Sequence, residues 1–492
     1  MKAEDLYEAI TDLPDGQVTE GEKKLSRAGG ARFRWAGLAA VLAVVVLTGV
    51  LVIPKLSGIM GGGIEPGGSP PSGAVISTEA KPSDAEAPTE DPNAPDDLRY
   101  TLAAPNYPLM NTYGRRAEVD GLEACLRTAL PVLLEGAERE NRVCAPLNIY
   151  SALAMLAETT AGDSRQELLK LLNAPDLETL RAQSKALWES NYCNDENLSS
   201  LLAASLWLRD DIAYNDETVQ VLADDYYAST FSGTMGDPEY TNALRRWMNE
   251  QTKGLLADQI DEIELSDDTA AALVTTVYYR AGWTQQFHMT VPGVFHGLGG
   301  DRELNFLTQT LINKTLYTGD GFLATGLSLS GGQGTAWFLL PDENLTPADL
   351  LSNQRTLDFL ISDKGRGNTD GRQVDLTLSV PKFDVSDKTD LIEKLKKLGV
   401  ISIFDRCRSD FTPLTTDLQE PITVSKAEQG ARVSADENGL TGAAYTIIEP
   451  TNSGIPEPLE KFELTLDRPF LFVVANEEGL PIFVGIVNQP TP

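Results

Sequence analysis

A run of nineteen residues without a charged side chain, 35–53, constrains this chain more than any other feature. As a helix it would span about 28 Å at about 1.5 Å per residue, which matches the core of a bilayer. Five basic residues precede it within residues 23–34, whereas only Lys55 follows closely. The positive-inside rule therefore predicts a cytoplasmic leader at 1–34, a transmembrane helix or signal anchor at 35–54, and export of the remainder.

Two other interpretations of this run remain open. A cleaved signal peptide is the first, but the charged leader is long and the residues that follow the run lack an A-x-A cleavage site. A buried helix of a soluble domain is the second, and it would leave the basic flank unexplained. The pattern favours an uncleaved anchor at the cell membrane.

The chain after the anchor divides into a linker and one domain. Up to about residue 97 it is rich in Gly, Pro, Ser, Ala and acidic residues and has almost no aromatic ones, so it cannot bury enough surface to offset the entropy of ordering. We predict a disordered linker at 55–106. Residues 107–492 carry nearly all the large apolar side chains, and we predict that they form one extracellular domain.

Composition excludes several classes of function. The formal charge of −32 opposes binding to nucleic acid. Four cysteines stand far apart without a CxxC pair and are interpreted as core thiols, although a disulfide stays open. His288 and His296 match no zinc motif and no catalytic pattern. We expect no metal, no cofactor, no catalytic residue and no enzymatic activity.

The patterning within the domain predicts an α+β fold. Apolar residues recur at helical spacing in DGLEACLRTALPVLLEG, NIYSALAMLAETTAG and DLIEKLKKLG. Strand-like runs include TAALVTTVYYRAG, TAWFLLP, QVDLTLSVPKFDV and KFELTLDRPFLFVVA. Helices come first along the chain and strands dominate later.

One stretch near the C-terminus does not behave like an ordinary connection. From Leu440 to Ile448 every second residue is small or apolar, as in a strand with one buried face. From Pro450 onwards, prolines deny ladder hydrogen bonds and favour an exposed loop of the kind that proteases cut. A plain hairpin loop with a strand leading into it is the alternative interpretation of this local pattern.

Seven motifs, in order along nearly the whole domain, resemble those of the serpin family of serine protease inhibitors. They are NRVCAPLNIYSALAML, AGDSRQELLKLL, TTVYYRAGWTQQF, SVPKF, LKKLGV with SIFD and SDFT, the hinge ENGLTGAAYT, and DRPFLFVV with PIFVGIVNQP. The resemblance implies a serpin fold with three β-sheets, about eight to nine helices and an exposed reactive-centre loop. It also implies a monomer of a bacterial, membrane-anchored type.

The same resemblance implies a mechanism and a set of residues. A protease would attack the loop, form an acyl-enzyme and be trapped when the cleaved hinge enters the central sheet as a new strand. The hinge maps onto Glu437, Gly439, Leu440, Thr441, Gly442, Ala443, Ala444, Tyr445 and Thr446. The polar cluster beneath the opening sheet maps onto Ala145, Asn148, Thr275 and Gln429, and Trp283 ends the strand beside it.

Departures from the family pattern leave a second function open. Leu440 replaces the usual Thr or Ser, and Gly442 and Tyr445 stand where the family prefers Ala. A non-inhibitory protein that uses the serpin fold for binding or display at the cell surface is therefore the alternative.

The scissile bond depends on how the loop is counted. Counting forward from Glu437 places it between Ser453 and Gly454, whereas counting back from Pro469 places it near Pro458. We prefer the forward count, because the length of the sheet fixes how much chain can insert. Residues 451–455 include no Arg or Lys, which favours an elastase-like or subtilisin-like serine protease as the target and leaves a papain-like cysteine protease open.

Overall fold

The computed structural model describes residues 99–108, 112, 121–138, 140–194, 198–260, 263–267, 269, 271–330, 334–416, 421–440 and 459–490. All of them belong to one compact unit, Glu90–Pro492. This unit begins earlier than the predicted domain boundary at residue 107. β1 (Thr101–Ala103) pairs with a strand of the main sheet, and Tyr100 packs against Tyr240 with ring centroids 4.9 Å apart. Assigning residues 99–106 to the linker was therefore wrong, because this stretch contributes a strand to the main sheet and an aromatic ring that packs on the domain.

The helices surround one that is buried along its whole length. All fourteen residues of α2 are buried, and Pro146 fits its first turn because the N–H that proline lacks would have no partner there. The helices are α1 (Leu122–Leu133), α2 (Pro146–Thr159), α3 (Gly162–Leu172), α4 (Leu177–Asn191), α5 (Asp216–Tyr226), α6 (Pro238–Gln251), α7 (Ala257–Ile260), α8 (Pro347–Leu351), α9 (Gln354–Ile361), α10 (Asp363–Gly367) and α11 (Ile392–Lys397). Seven of these have eight residues or more and the others are shorter.

The first sheet contains the strands on which the function depends. Its order is β1-β5-β4-β6-β14-β13-β12, with β3 paired to β4. The strands are β3 (Cys193–Asn194), β4 (Leu198–Arg209), β5 (Ala228–Gly233), β6 (Ala271–Gly282), β12 (Phe383–Asp390), β13 (Val424–Ala435) and β14 (Gly439–Leu440). β6 and β13 run parallel, and the two-residue β14 lies between their ends.

The second sheet has the order β15-β11-β8-β9-β10-β16-β17-β2, with β7 paired to β8. Its strands are β2 (Arg142–Cys144), β7 (Met289–Gly297), β8 (Gly300–Gly319), β9 (Phe322–Ser328), β10 (Thr335–Pro341), β11 (Asp370–Pro381), β15 (Glu460–Thr465), β16 (Phe470–Ala475) and β17 (Pro481–Val487). The predicted α+β class is confirmed. Within the described residues the strands form two hydrogen-bonded sheets instead of three separate ones, because the long β8 pairs with β7 and β11 and then continues into β9.

Three hydrophobic clusters hold these layers together. The largest surrounds α2 and the neighbouring helices, and the second fills the space between the two sheets. The third lies on the outer face of the first sheet, where α6 packs on β4, β5 and β6.

Two further predictions concern the cysteines and the anchor. Cys125, Cys144 and Cys193 are buried thiols, but Cys407 is exposed in a turn, so interpreting all four as core thiols was wrong for Cys407. All four are free. None of the described helices is long and apolar enough to cross a membrane, and the predicted span at 35–54 lies outside the described residues.

Candidate functional site

The junction between β6 and β13 is closed along one part and occupied at its end. Backbone pairing joins Gln429 to Thr275 and continues on either side, from Val424 with Ala271 to Gly430 with Thr276. Beyond Thr276 the two strands no longer pair with each other. There β14 lies between them, with Leu440 level with Ala435 on one side and with Ala281 on the other. The main sheet therefore already has a short strand at the point where the predicted hinge begins.

Leu440 is held in place by packing. Its side chain is 2% exposed and lies in the cluster between the two sheets, together with Ala435 and Ala281. Alternation along a strand then places Gly439 on the other face, where it presents no side chain. Leu440 is the last hinge residue that the structure describes. Thr441, Gly442, Ala443, Ala444, Tyr445 and Thr446, and the predicted scissile pair Ser453 and Gly454, lie outside the described residues.

A tight turn holds the chain as it enters β14. The Asp436 carboxylate accepts the N–H groups of Asn438 at 2.7 Å and Gly439 at 3.1 Å. Trp283, which directly follows β6, donates its indole N–H to the Asp436 carbonyl at 2.8 Å and its backbone N–H to the Asn438 carbonyl at 3.1 Å. Trp283 itself is 1% exposed and packs edge-on against Phe287. The turn is thus attached to β6 through both the side chain and the backbone of one tryptophan.

Glu437 adds an ion pair on the opposite side of the turn. Its carboxylate lies 2.6 Å from Lys382 Nζ, just before β12, and the hydrogen bond from Lys382 lowers the pKa of Glu437. Both side chains are nearly half exposed, so water screens the pair. Sequence reasoning assigned Lys382 to the SVPKF motif without a role, because its partner lies far along the chain.

The predicted polar cluster lies beneath the closed part of the junction, at the start of α2. Gln429 accepts the Ala145 N–H at 3.0 Å and donates to the Ala145 carbonyl at 3.1 Å. Asn148 donates to the Thr276 carbonyl at 3.0 Å. Each strand is thus attached to α2 separately, β13 through Gln429 and β6 through Asn148.

Thr275 is the one polar side chain of this cluster for which the structure describes no hydrogen bond. Its hydroxyl oxygen is buried and has no hydrogen-bond partner among the described residues, and the residue lies level with Gln429 across the junction. A buried hydroxyl without a partner is costly. The closed sheet therefore contains an unsatisfied polar group at its junction.

The chain between β14 and β15 connects the two sheets. β14 ends at Leu440 in the first sheet, and β15 begins at Glu460 in the second sheet, where it pairs in parallel with β11 at the edge. Arg372 Nε lies 3.5 Å from the Glu460 carboxylate, and its guanidinium lies over the ring of Phe462 at 5.3 Å. Both ends of the segment are thus fixed by described contacts.

Neither histidine belongs to this site. His288 and His296 are both exposed, and His296 Nδ1 lies 2.8 Å from Asp301 Oδ1. Among the residues that the structure describes, no group of three His, Cys, Asp or Glu side chains could hold a metal ion.

A family model and individual known proteins both match this chain over most of the domain. The family model described as "Serpin (serine protease inhibitor)" matches residues 129–490. Plasminogen activator inhibitor 1 of Sus scrofa is 26% identical over 382 residues, covering 73% of this chain and 89% of that protein.

Two solved structures show the same fold. Tengpin, a thermophilic serpin in its native state, aligns with a TM-score of 0.66 at 20% identity, covering 80% of this chain and 99% of that one. Thyroxine-binding globulin in complex with thyroxine aligns with a TM-score of 0.62 at 20% identity, covering 76% and 98%.

Proposed function

The chain belongs to the serpin family of serine protease inhibitors, and from this membership we propose that it inhibits a serine protease outside the cell as a suicide substrate. The target protease forms an acyl-enzyme with the segment between β14 and β15. The cleaved hinge then extends β14 into the junction between β6 and β13. Strand addition to a sheet is a general mode of peptide binding, in which backbone bonds supply the affinity.

The observation that carries the proposal is the register at the junction. Leu440 is level with both Ala435 and Ala281, and Gln429 is level with Thr275. Both level pairs, 435 with 281 and 429 with 275, are 154 positions apart in the sequence. A strand that continued from β14 would therefore pair with both neighbours in one register. The junction would have to widen, but β13 would not have to slide along β6.

The length of the junction also agrees with the sequence. β6 begins at Ala271, and a strand that continues in this register would reach Ala271 at Pro450. No proline occurs in residues 439–449. Because proline cannot donate to a ladder, the run that can form a strand ends where its partner strand ends.

The residues that would face inward on the inserted strand suit the surroundings on that face of the sheet. Gly442, Ala444 and Thr446 would face the apolar core between the sheets, beside buried residues of β6 and β13. Thr446 would lie between Gln429 and Thr275, so its hydroxyl could pair with the Thr275 hydroxyl that has no partner in the closed sheet. Insertion would then remove an unsatisfied polar group as well as add backbone bonds.

Trapping follows from the distance that the bound protease travels. Its nucleophile attacks the Ser453 carbonyl and the bond to Gly454 breaks, which leaves the protease joined to the end of the hinge. The strand-forming run 439–449 has 11 residues and would span about 36 Å at about 3.3 Å per residue, so insertion would carry the protease from one end of β6 to the other. Distortion of the protease at that end prevents deacylation. Small and aliphatic residues at 451–455 favour an elastase-like or subtilisin-like target.

The test is to incubate the purified chain with pancreatic elastase and with subtilisin, and to analyse the products by denaturing electrophoresis and mass spectrometry. We expect a covalent adduct that survives SDS and a released fragment that starts at Gly454. A released fragment with a different N-terminus would move the scissile bond without affecting the mechanism. Cleavage of the loop by proteases that all stay active and form no adduct would refute inhibition.

One observation favours a second candidate, a binding or display protein with the same fold. Leu440 is already buried at the junction, and this burial could hold the hinge where it is instead of starting its insertion into the sheet. Thyroxine-binding globulin has the same fold. Cleaving the loop separates the candidates. An inhibitor should gain a large rise in melting temperature from the inserted strand, whereas a binding protein should melt as before.

The uncharged run at 35–54, with basic residues before it, supports tethering of the domain outside the cell membrane. Fractionation and protease treatment of intact cells test this placement. We expect the chain in the membrane fraction with its domain accessible from outside, and a chain released in soluble form would favour a cleaved signal peptide.

A further inference from the structure

A segment on the outer face of the first sheet joins the two strands that insertion must separate. We call residues 253–260 the crossing segment. It follows α6 through a turn at Lys253 and Gly254, which have φ of 49° and 80°. It then passes from the side of β4 and β6 to the side of β12 and β13, over the closed junction.

Apolar packing fixes this segment to the β4–β6 side. Leu256 and Ile260 of the crossing segment belong to the third cluster. That cluster also contains Trp247 of α6, Trp207 of β4 and Val274 of β6. No residue of β12 or β13 belongs to that cluster among the described residues.

Lys253 strengthens the attachment to the same side. Its Nζ donates to Asn194 at 3.0 Å and to Ser199 at 3.3 Å, and lies 5.0 Å from the ring centroid of Tyr278. Asn194 belongs to β3, Ser199 to β4 and Tyr278 to β6.

Polar contacts fix the other end to the β12–β13 side. Arg432 of β13 donates to the Leu255 carbonyl at 3.0 Å, and an ion pair with Asp384 of β12 orients its guanidinium through contacts of 2.9 and 2.6 Å. The Gln259 side chain donates to the hydroxyl of Ser386.

Leu256 covers the junction itself. A Cβ on Gly430 would lie 2.8 Å from Leu256 Cδ1, so a side chain at that position would collide with the crossing segment. The segment thus lies directly on β13 where β13 pairs with β6.

Insertion is incompatible with both sets of contacts. A new strand would widen the junction by about 4.8 Å, the spacing of neighbouring strands. A hydrogen bond near 3 Å does not survive such a displacement. The apolar contact of α6 is the more extensive attachment, so the polar contacts on the β12–β13 side are the ones that must break.

We propose that Arg432 is a positioning residue that slows insertion by holding the crossing segment on β13, an inference that rests on the proposed inhibitory function. Its bond to the Leu255 carbonyl spans the junction, whereas its ion pair with Asp384 stays within one side. Breaking the first bond is a step that separates cleavage of the loop from trapping of the protease. The strength of this bond therefore helps to set how many inhibitor molecules are cleaved for each protease molecule trapped.

The test uses Arg432→Met in the full chain, with Arg127→Met as a matched control. Arg127 also makes a half-exposed ion pair with an aspartate, Asp358, through Nε and Nη2, but it joins α1 to α9 away from the junction. Quench-flow with a trapped protease measures the rate of loop cleavage and the rate of adduct formation. Titration of protease activity gives the number of inhibitor molecules consumed per protease molecule trapped.

Arg432→Met should form the adduct about fivefold faster after cleavage, the effect of one charged hydrogen bond that is partly exposed to water. It should also consume fewer molecules per trapped protease, at an unchanged rate of cleavage. Arg127→Met should resemble the unmodified chain in these rates even if both variants melt earlier. Unchanged adduct formation in Arg432→Met, or an equal change in the control, would overturn the proposal. If the unmodified chain forms no adduct at all, the proposed function fails instead.

Discussion

Replacing Gln429 with leucine should weaken the closed sheet by an amount that follows from its contacts. Gln429 gives Ala145 an acceptor for its N–H and a donor for its carbonyl. The carbonyl keeps a bond from the Ile149 N–H at 3.2 Å, but the Ala145 N–H is left without the amide acceptor. An unsatisfied buried group costs about 1–3 kcal/mol and a lost bond about 0.5–1.5 kcal/mol. We expect Gln429→Leu to lower the free energy of unfolding of the intact chain by about 1.5–4.5 kcal/mol.

A second buried glutamine, Gln309, offers a control substitution for which no loss of stability is expected. Gln309 is 3% exposed, and within the part of the chain that the structure describes neither amide atom of its side chain has a hydrogen-bond partner. Gln309→Leu removes an unsatisfied buried amide at similar volume, so stability should be unchanged or rise. Urea denaturation of both variants, with intact loops, measures the difference. An equal loss in the two variants would refute the reasoning, because the effect would then come from packing and not from the bonds to Ala145.

Three further predictions address the hinge and the thiols. Glu437→Gln removes the ion pair with Lys382 and should lower the free energy of unfolding at neutral pH. The difference in stability between the variant and the unmodified chain should vanish as the pH falls through the lowered pKa of Glu437, because protonation then breaks the pair in the unmodified chain too. Urea denaturation at pH 7 and at pH 3 tests this. Ala444→Glu should abolish adduct formation because the proposed register would bury position 444 on insertion. Ala443→Glu should retain more of it, because position 443 would then face outward beside Arg432; denaturing electrophoresis of both variants with protease measures the adduct. Iodoacetamide should modify only Cys407 in the native chain and all four thiols after unfolding, and modification of a second thiol without denaturant would contradict the described burial.

The sequence predicted the strands of this fold better than their boundaries. Periodicity in TTVYYRAGW and the C-terminal runs identified long strands, because burial of one or both faces leaves a direct pattern. The three residues of β1 carry no such pattern. They pair with β5 only because the fold offers an open edge there, and no local signal near Thr101 could show that.

The site was predictable as a list of residues but not as a set of bonds. The resemblance placed the hinge at 437–446, and this stays a prediction beyond Leu440, the last hinge residue that the structure describes. The hydrogen-bonded contacts of Glu437 with Lys382 and of Gln429 with Ala145 join residues far apart in sequence, so no local pattern could show them. The crossing segment was missed altogether. Its residues are ordinary turn and helix residues, and their importance comes from where α6 ends above the sheet.

A crystal structure of the chain after a single cut in the loop tests the central claim most directly. We predict that β6 and β13 are separated by a new strand in which Thr446 lies between Gln429 and Thr275. Direct pairing of Gln429 with Thr275, with the cut hinge outside the sheet, would contradict the account.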